Sequence, residues 1–414
     1  MFYATVVPTE VRFKIAEQTF YPSRIAAFLL LPWLLHKLAS GGLRFRAIDG
    51  LMLFGVSWMI FSFMAFYDPL EGILRSLPIA FDVIMPYLIG RLCIRNLTDF
   101  RRFLIFIVPA LVFAGGSMAL ESLTHTPIIK PLAADIFGKL AVYENGQAVG
   151  SSDFIRQTRL GLMRATGPFA HPILGGICLS AWIPLYLKSG IKGMPRFLGL
   201  AAAACGFFSL SSGAFLVILI GVGLVCLDWL LQIAKSITWR AVSAAIVIGL
   251  ILIQLVSKNG LVAILIRYTL DPSTGYYRRL IWEYGTASVW RHPWIGIGYT
   301  DFERLEYMGT SVDNHWLLIP MRHGIPALIA IAGVVFFGFW SVTQAASRST
   351  GFDRSALVSF AIMLVAIVIA GFTVTYFGSS LTVLYLLVGI SINMSETGSA
   401  QRVGGPPLHI RKRH

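Results

Sequence analysis

Charge is what this sequence has least of. Only 13 % of its 414 residues are Asp, Glu, Lys or Arg, where a soluble globular domain carries about 25 %. That scarcity excludes a polar, water-facing enzyme surface. It also excludes a disordered chain, which needs high charge and few apolar residues. Cysteine occurs four times, at Cys93, Cys178, Cys205 and Cys226. None belongs to a C-x-x-C pair or has a histidine at ligand spacing, so they read as small hydrophobes rather than a disulfide framework or a zinc site. A complete glycine-rich nucleotide loop is lacking: Gly296-Ile-Gly298 has no third glycine and reads as a tight turn. No internal repeat suggests the paired halves of a transporter. Residues 1–20 hold no apolar h-region, so no signal peptide is expected.

The apolar excess is correspondingly large. Hydrophobic residues make up 56 % of the chain and the mean hydropathy is +0.72, so the surplus must go into lipid. A spanning helix needs about 20 mostly apolar residues. Such stretches fall near 24–38, 48–67, 73–92, 103–121, 172–188, 196–211, 213–231, 239–256, 322–342, 355–373 and 378–394. They predict an all-α polytopic membrane protein, with about eleven transmembrane helices in a single integral membrane domain over 1–414.

The net charge of +14 comes from 34 Lys and Arg against 20 Asp and Glu. Its distribution is an orientation signal. The basic groups are Lys37, Arg44 and Arg46; Arg91, Arg95, Arg101 and Arg102; Lys188, Lys192 and Arg196; Lys235 and Arg240; Arg348 and Arg354; and the tail Arg402, Arg411, Lys412 and Arg413. With eleven helices all of them fall on one side, which the positive-inside rule makes cytoplasmic. The alternating turns, around Asp68–Glu71 and Tyr376–Gly378, carry no Lys or Arg. Nucleic acid is therefore not an expected partner, since no basic-aromatic module stands outside the apolar segments.

Two segments on the opposite, periplasmic side are too long and polar for simple turns, 122–171 and the larger 257–316. Loops beyond about 12–15 residues are usually functional or disordered. The second is rich in Trp and Tyr and is expected to be ordered, as short interfacial helices lying on the bundle.

Arginines on that side are not needed for orientation. Arg156, Arg159 and Arg164 lead into the fifth span, and Arg278 and Arg279 lie on an amphipathic helix expected over Tyr276–Trp290. A guanidinium is permanently charged and forks to two phosphate oxygens, so two or three could hold a lipid-linked diphosphate. The plainer reading pairs Arg279 with Glu283 and gives the others to lipid headgroups. His315 sits where the long outer loop re-enters the membrane, in Ser311-Val-Asp-Asn-His-Trp-Leu317. It could deprotonate a sugar hydroxyl, with Asp313 and Asn314 available to orient it. The plainer reading is an interfacial histidine bonded to backbone. His171 and His292 each precede a proline and are expected to end a loop or cap a helix; His323 is a weaker candidate. Asp301-Phe-Glu303 is an ordinary solvated pair before it is a metal site. Inside the spans acidic residues are few, chiefly Asp82 and Asp228. Asp82 is expected to be structural, bonded to a neighbouring helix or to Arg91, since one carboxylate does not make a proton relay.

Four stretches resemble the O-antigen ligase/polymerase superfamily of bacterial envelope glycan enzymes. They are Arg164-Ala-Thr-Gly-Pro-Phe-Ala-His-Pro-Ile-Leu-Gly175; Leu210-Ser-Ser-Gly-Ala214; Arg279-Leu-Ile-Trp282 with Arg291-His-Pro-Trp-Ile-Gly-Ile-Gly-Tyr-Thr-Asp-Phe302; and Asp313-Asn-His-Trp-Leu-Leu-Ile-Pro-Met-Arg-His-Gly324. Their order and spacing match over roughly 24–394. The D-N-x-W-L form is closer to exopolysaccharide-type members.

The resemblance implies a membrane glycosyltransferase of GT-C-like architecture, metal-independent and inverting, in the inner membrane, with no cofactor. Its donor would be an undecaprenyl-diphosphate-linked glycan, its acceptor a glycan or a lipid core, and its setting membrane lipid and a polysaccharide assembly complex. It implies that Arg164 and Arg279 hold the diphosphate and that His315 is the general base, with Arg278, Arg159, Asp313 and Asn314 binding substrate. The rivals are a transporter or flippase of an amphiphile, which would need polar groups at mid-membrane, and an inactive scaffold for polysaccharide assembly.

Overall fold

The structure is a computed structural model describing residues 1–15, 18–138, 157–234 and 272–396, with 143–144, 147–148, 239 and 248. The candidate span 239–256 (its two described positions apart), Arg156, residues 257–271 and the basic C-terminal tail lie outside the described residues.

The chain is mostly helical. A 3-10 turn at Phe2–Val6 and a short hairpin, β1 Phe13–Ile15 with β2 Gln18–Phe20, precede α1 (Pro22–Ala39), α2 (Ala47–Phe66), α3 (Pro69–Cys93), α4 (Leu97–Phe106), α5 (Val108–Thr124) and α6 (Ile129–Phe137). After two short hairpins come α7 (Pro172–Ser180), α8 (Ile183–Lys188), α9 (Met194–Ala204), a 3-10 turn at Cys205–Ser209 and α10 (Ser212–Ala234). Then follow α11 (Pro272–Arg291), α12 (His315–His323), α13 (Ile325–Arg348), α14 (Gly351–Ala370) and α15 (Ser379–Asn393).

Among the described residues, five helices are long and apolar enough to cross a membrane: α2, α3, α10, α13 and α14. The pair α4 and α5, bent by 42°, makes a sixth if counted as one span. The expected eleven straight spans are not reached by this measure, because several apolar stretches are broken. Residues 172–188, 194–209 and 379–393 form shorter apolar helices. The span expected at 322–342 is α13, which begins three residues later because Gly324, at φ +81°, ends α12.

Helix α15 is the centre of the bundle, with Ser380 to Asn393 buried throughout. It crosses α3 where glycines let the two backbones touch. A Cβ on Gly389 would come within 2.1 Å of the Tyr87 carbonyl oxygen, and one on Gly90 within 2.4 Å of the Leu386 oxygen. Small residues at such crossings are how helices in lipid gain van der Waals contact.

Polar ties fasten the ends. Asp49 accepts from Arg91 at 2.8 Å and from the Tyr87 hydroxyl at 2.5 Å, and Arg91 reaches Asn393 of α15 as well. Asp228 of α10 is wholly buried and gathers Lys188, Gln232, Trp239 and Arg354. Asp82 does bond to a neighbouring helix, but its partner is Arg24 of α1, which takes both carboxylate oxygens at 2.9 and 2.5 Å. Arg91, the other expected partner, is committed to Asp49.

Candidate active site

Two groups of predicted residues are assembled here. The first is the loop that enters α7. Its backbone is held by Glu121, a carboxylate at the end of α5 with no exposed surface. Oε1 accepts the N–H groups of Ile128 and Ile129 at 3.1 and 3.2 Å, and Oε2 those of Thr166 and Gly167 at 3.2 and 2.8 Å. Ser122 adds a bond to the Met163 carbonyl at 2.7 Å, and buried Lys130 donates to the Ala170 carbonyl at 2.9 Å. The segment 163–170 is thereby fixed at both ends.

This loop carries Arg164. Its Nε donates to the Ser209 carbonyl at 3.3 Å and one terminal nitrogen to Gln157 at 2.5 Å. Arg159, on the short hairpin before it, donates to the Leu210 carbonyl at 3.2 Å. Both arginines therefore sit on the turn that starts α10, where Ser211 caps the helix through the Ala214 N–H. Burial, and then the charge of Arg159, pushes Arg164 down to about 10. It still carries a full charge at neutral pH, and an anion between the two would relieve the repulsion.

His171 closes the loop as the expected cap of α7, with Nδ1 accepting the Ile173 N–H at 3.2 Å. Nε2 then carries the hydrogen. The side chain is exposed to solvent and flanked by the charges of Arg164 and Lys130. Burial first, then Arg164 and Lys130, pushes it down to about 3. A neutral N–H donor thus stands beside two cations.

The second group surrounds the start of α12. Asn314 caps that helix, accepting the Leu317 N–H at 3.0 Å, and Asp313 accepts from the Ser311 hydroxyl at 2.8 Å. These bonds are local and are not directed at the His315 ring. His315 itself is 5 % exposed, and its N–H donates to the Gly371 and Val374 carbonyls at 2.8 and 3.2 Å. The ring lies 5.2 Å from those of both Trp316 and Tyr376, and Nε2 is buried without a partner. Burial pushes the imidazole down to about 3, so it is uncharged at neutral pH.

The expected amphipathic helix is α11. Arg278 is half-buried, with Nε unpaired; burial lowers its pKa and the nearby Asp313 carboxylate partly offsets that. Arg279 is exposed and bonds to no described residue, so the expected pairing with Glu283 is not formed. Asp301 and Glu303 are occupied by Arg304 and Arg291.

The elements that carry the two groups adjoin at the turn after α14. A Cβ on Gly213 would lie 3.5 Å from Thr373 Oγ1, and Thr373 precedes the Val374 carbonyl that holds His315. Beside this junction lies an apolar groove of about 620 Å³ between α11, α12, α13 and α14. Trp282, Thr286 and Trp290 line one wall and Trp316, Leu317 and Pro320 another. Arg278 and Arg279 lie one turn before Trp282 on α11, at about 5.4 Å per turn.

Residues 197–332 match the family model described as O-antigen ligase, about a third of the chain. Over that stretch the chain is similar to the O-antigen ligase family. The stretch takes in the α10 turn, α11 and its arginines, and α12 with His315. The Arg164 loop precedes it. No curated protein matches the chain. Its long apolar helices make it a membrane protein.

Glu121, Lys130 and Arg322 were not singled out by sequence reasoning. Glu121 had a readable signal, an acidic residue closing an apolar span. Lys130 had none.

Proposed function

We propose that the chain transfers or polymerises an undecaprenyl-diphosphate-linked glycan at the periplasmic face of the bacterial inner membrane, for O-antigen or exopolysaccharide. The observation that carries this is the sharing of two helices. The α11–α12 pair that presents Arg278, Arg279 and His315 also walls the apolar groove, so one place offers a bed for a lipid chain, cations for a diphosphate and a base for a hydroxyl.

In this reading Arg164 and Arg279 bind the diphosphate, with Arg159 and Arg278 adding charge and Asp313 and Asn314 binding sugar. The acceptor hydroxyl attacks the anomeric carbon from the face opposite the diphosphate. Its proton passes to His315, and the glycosidic C–O bond breaks with its electron pair on the departing carrier diphosphate, giving inversion. Preorganised arginines stabilise the charge that develops there. No metal or cofactor enters, and the acceptor is a glycan or a lipid core. The eleven spans and the GT-C-like architecture belong to the same proposal, as does service in a polysaccharide assembly complex.

A transporter or flippase is favoured by one feature, the Arg24–Asp82 pair inside the bundle. Deleting the gene separates the readings. A polymerase predicts short surface chains, a ligase full-length glycan stranded on the carrier, and both predict accumulation on the periplasmic side. Cytoplasmic-side accumulation would contradict transfer.

A further inference from the structure

Arg322 has no place in the reaction above. It lies seven residues after His315 on α12, on the same side of the helix and about 10 Å along it at ~1.5 Å per residue. Only 8 % of its surface is accessible. The guanidinium lies over the Tyr299 ring, 4.8 Å from its centroid, and makes no hydrogen bond or ion pair with any described residue.

Its surroundings are polar and already paired among themselves. Arg24 gives two donors to Asp82 and a third to the Thr19 carbonyl at 2.6 Å. That ion pair is internally neutral, so the charge of Arg322 is left over. Solvent reaches the cluster, since the Arg24 and Asp82 side chains are 12 and 21 % exposed. His323 is turned away, with Nδ1 on Ser62 at 3.3 Å and its ring stacked on Phe63.

The loop at Gly296-Ile-Gly298 builds the other wall. Ile297 and Gly298 donate their N–H groups to the Met321 and Arg322 carbonyls at 2.7 and 3.2 Å. Both glycines have positive φ, and a Cβ on either would strike the Arg322 backbone or the Tyr67 ring. The next residue is Tyr299, whose N–H donates to the Tyr67 oxygen at 2.7 Å. Tyr67 can then donate its own hydrogen. A tight turn thus delivers one aromatic face and one hydroxyl to a buried cation.

We propose that Arg322, with the Tyr299 face and the Tyr67 hydroxyl, is a binding site for an oxyanion borne on a ligand, a carboxylate or a phosphate. Burying an unpaired cation is costly, and a guanidinium fork matches two oxygens of one planar or tetrahedral anion. The source is an acidic sugar or a phospholipid headgroup. The site does not depend on the transfer reaction, and the experiment below does not require it.

The test uses the full chain in phosphatidylcholine nanodiscs. Thermal unfolding is followed while D-glucuronate or inorganic phosphate is raised against chloride at matched ionic strength. Wild type should show a saturable rise in midpoint. R322Q should show a clearly smaller rise, the remainder coming from the arginines of the transfer site, and R322K should need at least about tenfold more anion, since it keeps the charge but loses the fork. No rise in wild type, or an equal rise in R322Q, would overturn the proposal. If R322Q fails to fold, an unchanged midpoint curve in R322K would overturn it instead. Replacing part of the lipid by phosphatidylglycerol names the source. A lost response to soluble anion assigns the headgroup, and an undiminished response assigns the sugar acid.

Discussion

The Glu121 carboxylate accepts the Gly167 N–H at 2.8 Å, three residues beyond Arg164. An acidic side chain at the end of a membrane helix therefore sets the position of a cation it does not touch. Glu121→Gln keeps one carbonyl acceptor and presents an N–H₂ to the remaining donors. Losing charge-assisted bonds of ~1.5–3 kcal/mol each should shift the loop and lower glycan transfer about tenfold or more, with membrane levels near normal. Measuring transfer per folded molecule checks this; an unimpaired Glu121→Gln would show that the loop is held otherwise. Glu121→Ala strands four N–H groups and should reduce the level itself.

Arg279 is exposed and bonds to no described residue, while Arg278 lies within the charge influence of Asp313. The account expects Arg279→Ala and Arg164→Ala each to cost ~10²–10³ in rate, as for loss of a donor to a developing oxyanion. Arg279→Lys should retain part of the activity. Arg278→Ala should cost less, roughly tenfold, if its role is to support the site's charge. The reverse order on α11 would exchange the two roles.

His315 has a pH signature independent of activity. Burial pushes it from 6.5 to about 3, so between these values the unfolded chain binds the extra proton. Stability must rise with pH across that window and fall on acidification, by up to about 1.4 kcal/mol per unit. His315→Gln should flatten the dependence of the unfolding midpoint between pH 6.5 and 5. An unchanged slope would mean that the imidazole is solvated in the folded protein.

Asp82 tests the transporter reading. Asp82→Asn leaves Arg24 without its partner, and breaking a buried pair costs ~3–5 kcal/mol, less here because both groups are partly exposed. Protein level should fall while transfer per molecule persists. The double change Arg24→Met with Asp82→Leu should restore the level. Loss of function at normal level would favour coupled transport.

The membrane class and the family motifs were legible because apolar runs and motif order are one-dimensional signals. The α7 cap at His171 and the α11 helix followed from local chemistry, a histidine before proline and an amphipathic run. The break at Gly324 was not legible, since a glycine within an apolar run reads equally as helix interior. Asp82 was visible, but Arg24 lies 58 positions away, and only the packing of α1 on α3 selects it over Arg91. The glycine contact of Gly90 with α15 likewise depends on which helices meet. Asp313 and Asn314 were placed correctly beside His315, yet their side chains serve the turn and the helix cap, because those bonds are nearer.

Glycan transfer is measured with the purified full chain in proteoliposomes and a polyprenyl-diphosphate-linked glycan donor, following the carrier lipid. Glycan should leave the carrier, with polyprenyl diphosphate appearing in step, and His315→Ala and Arg164→Ala should give no such release. Intact donor crossing the bilayer with its glycan still attached would contradict transfer.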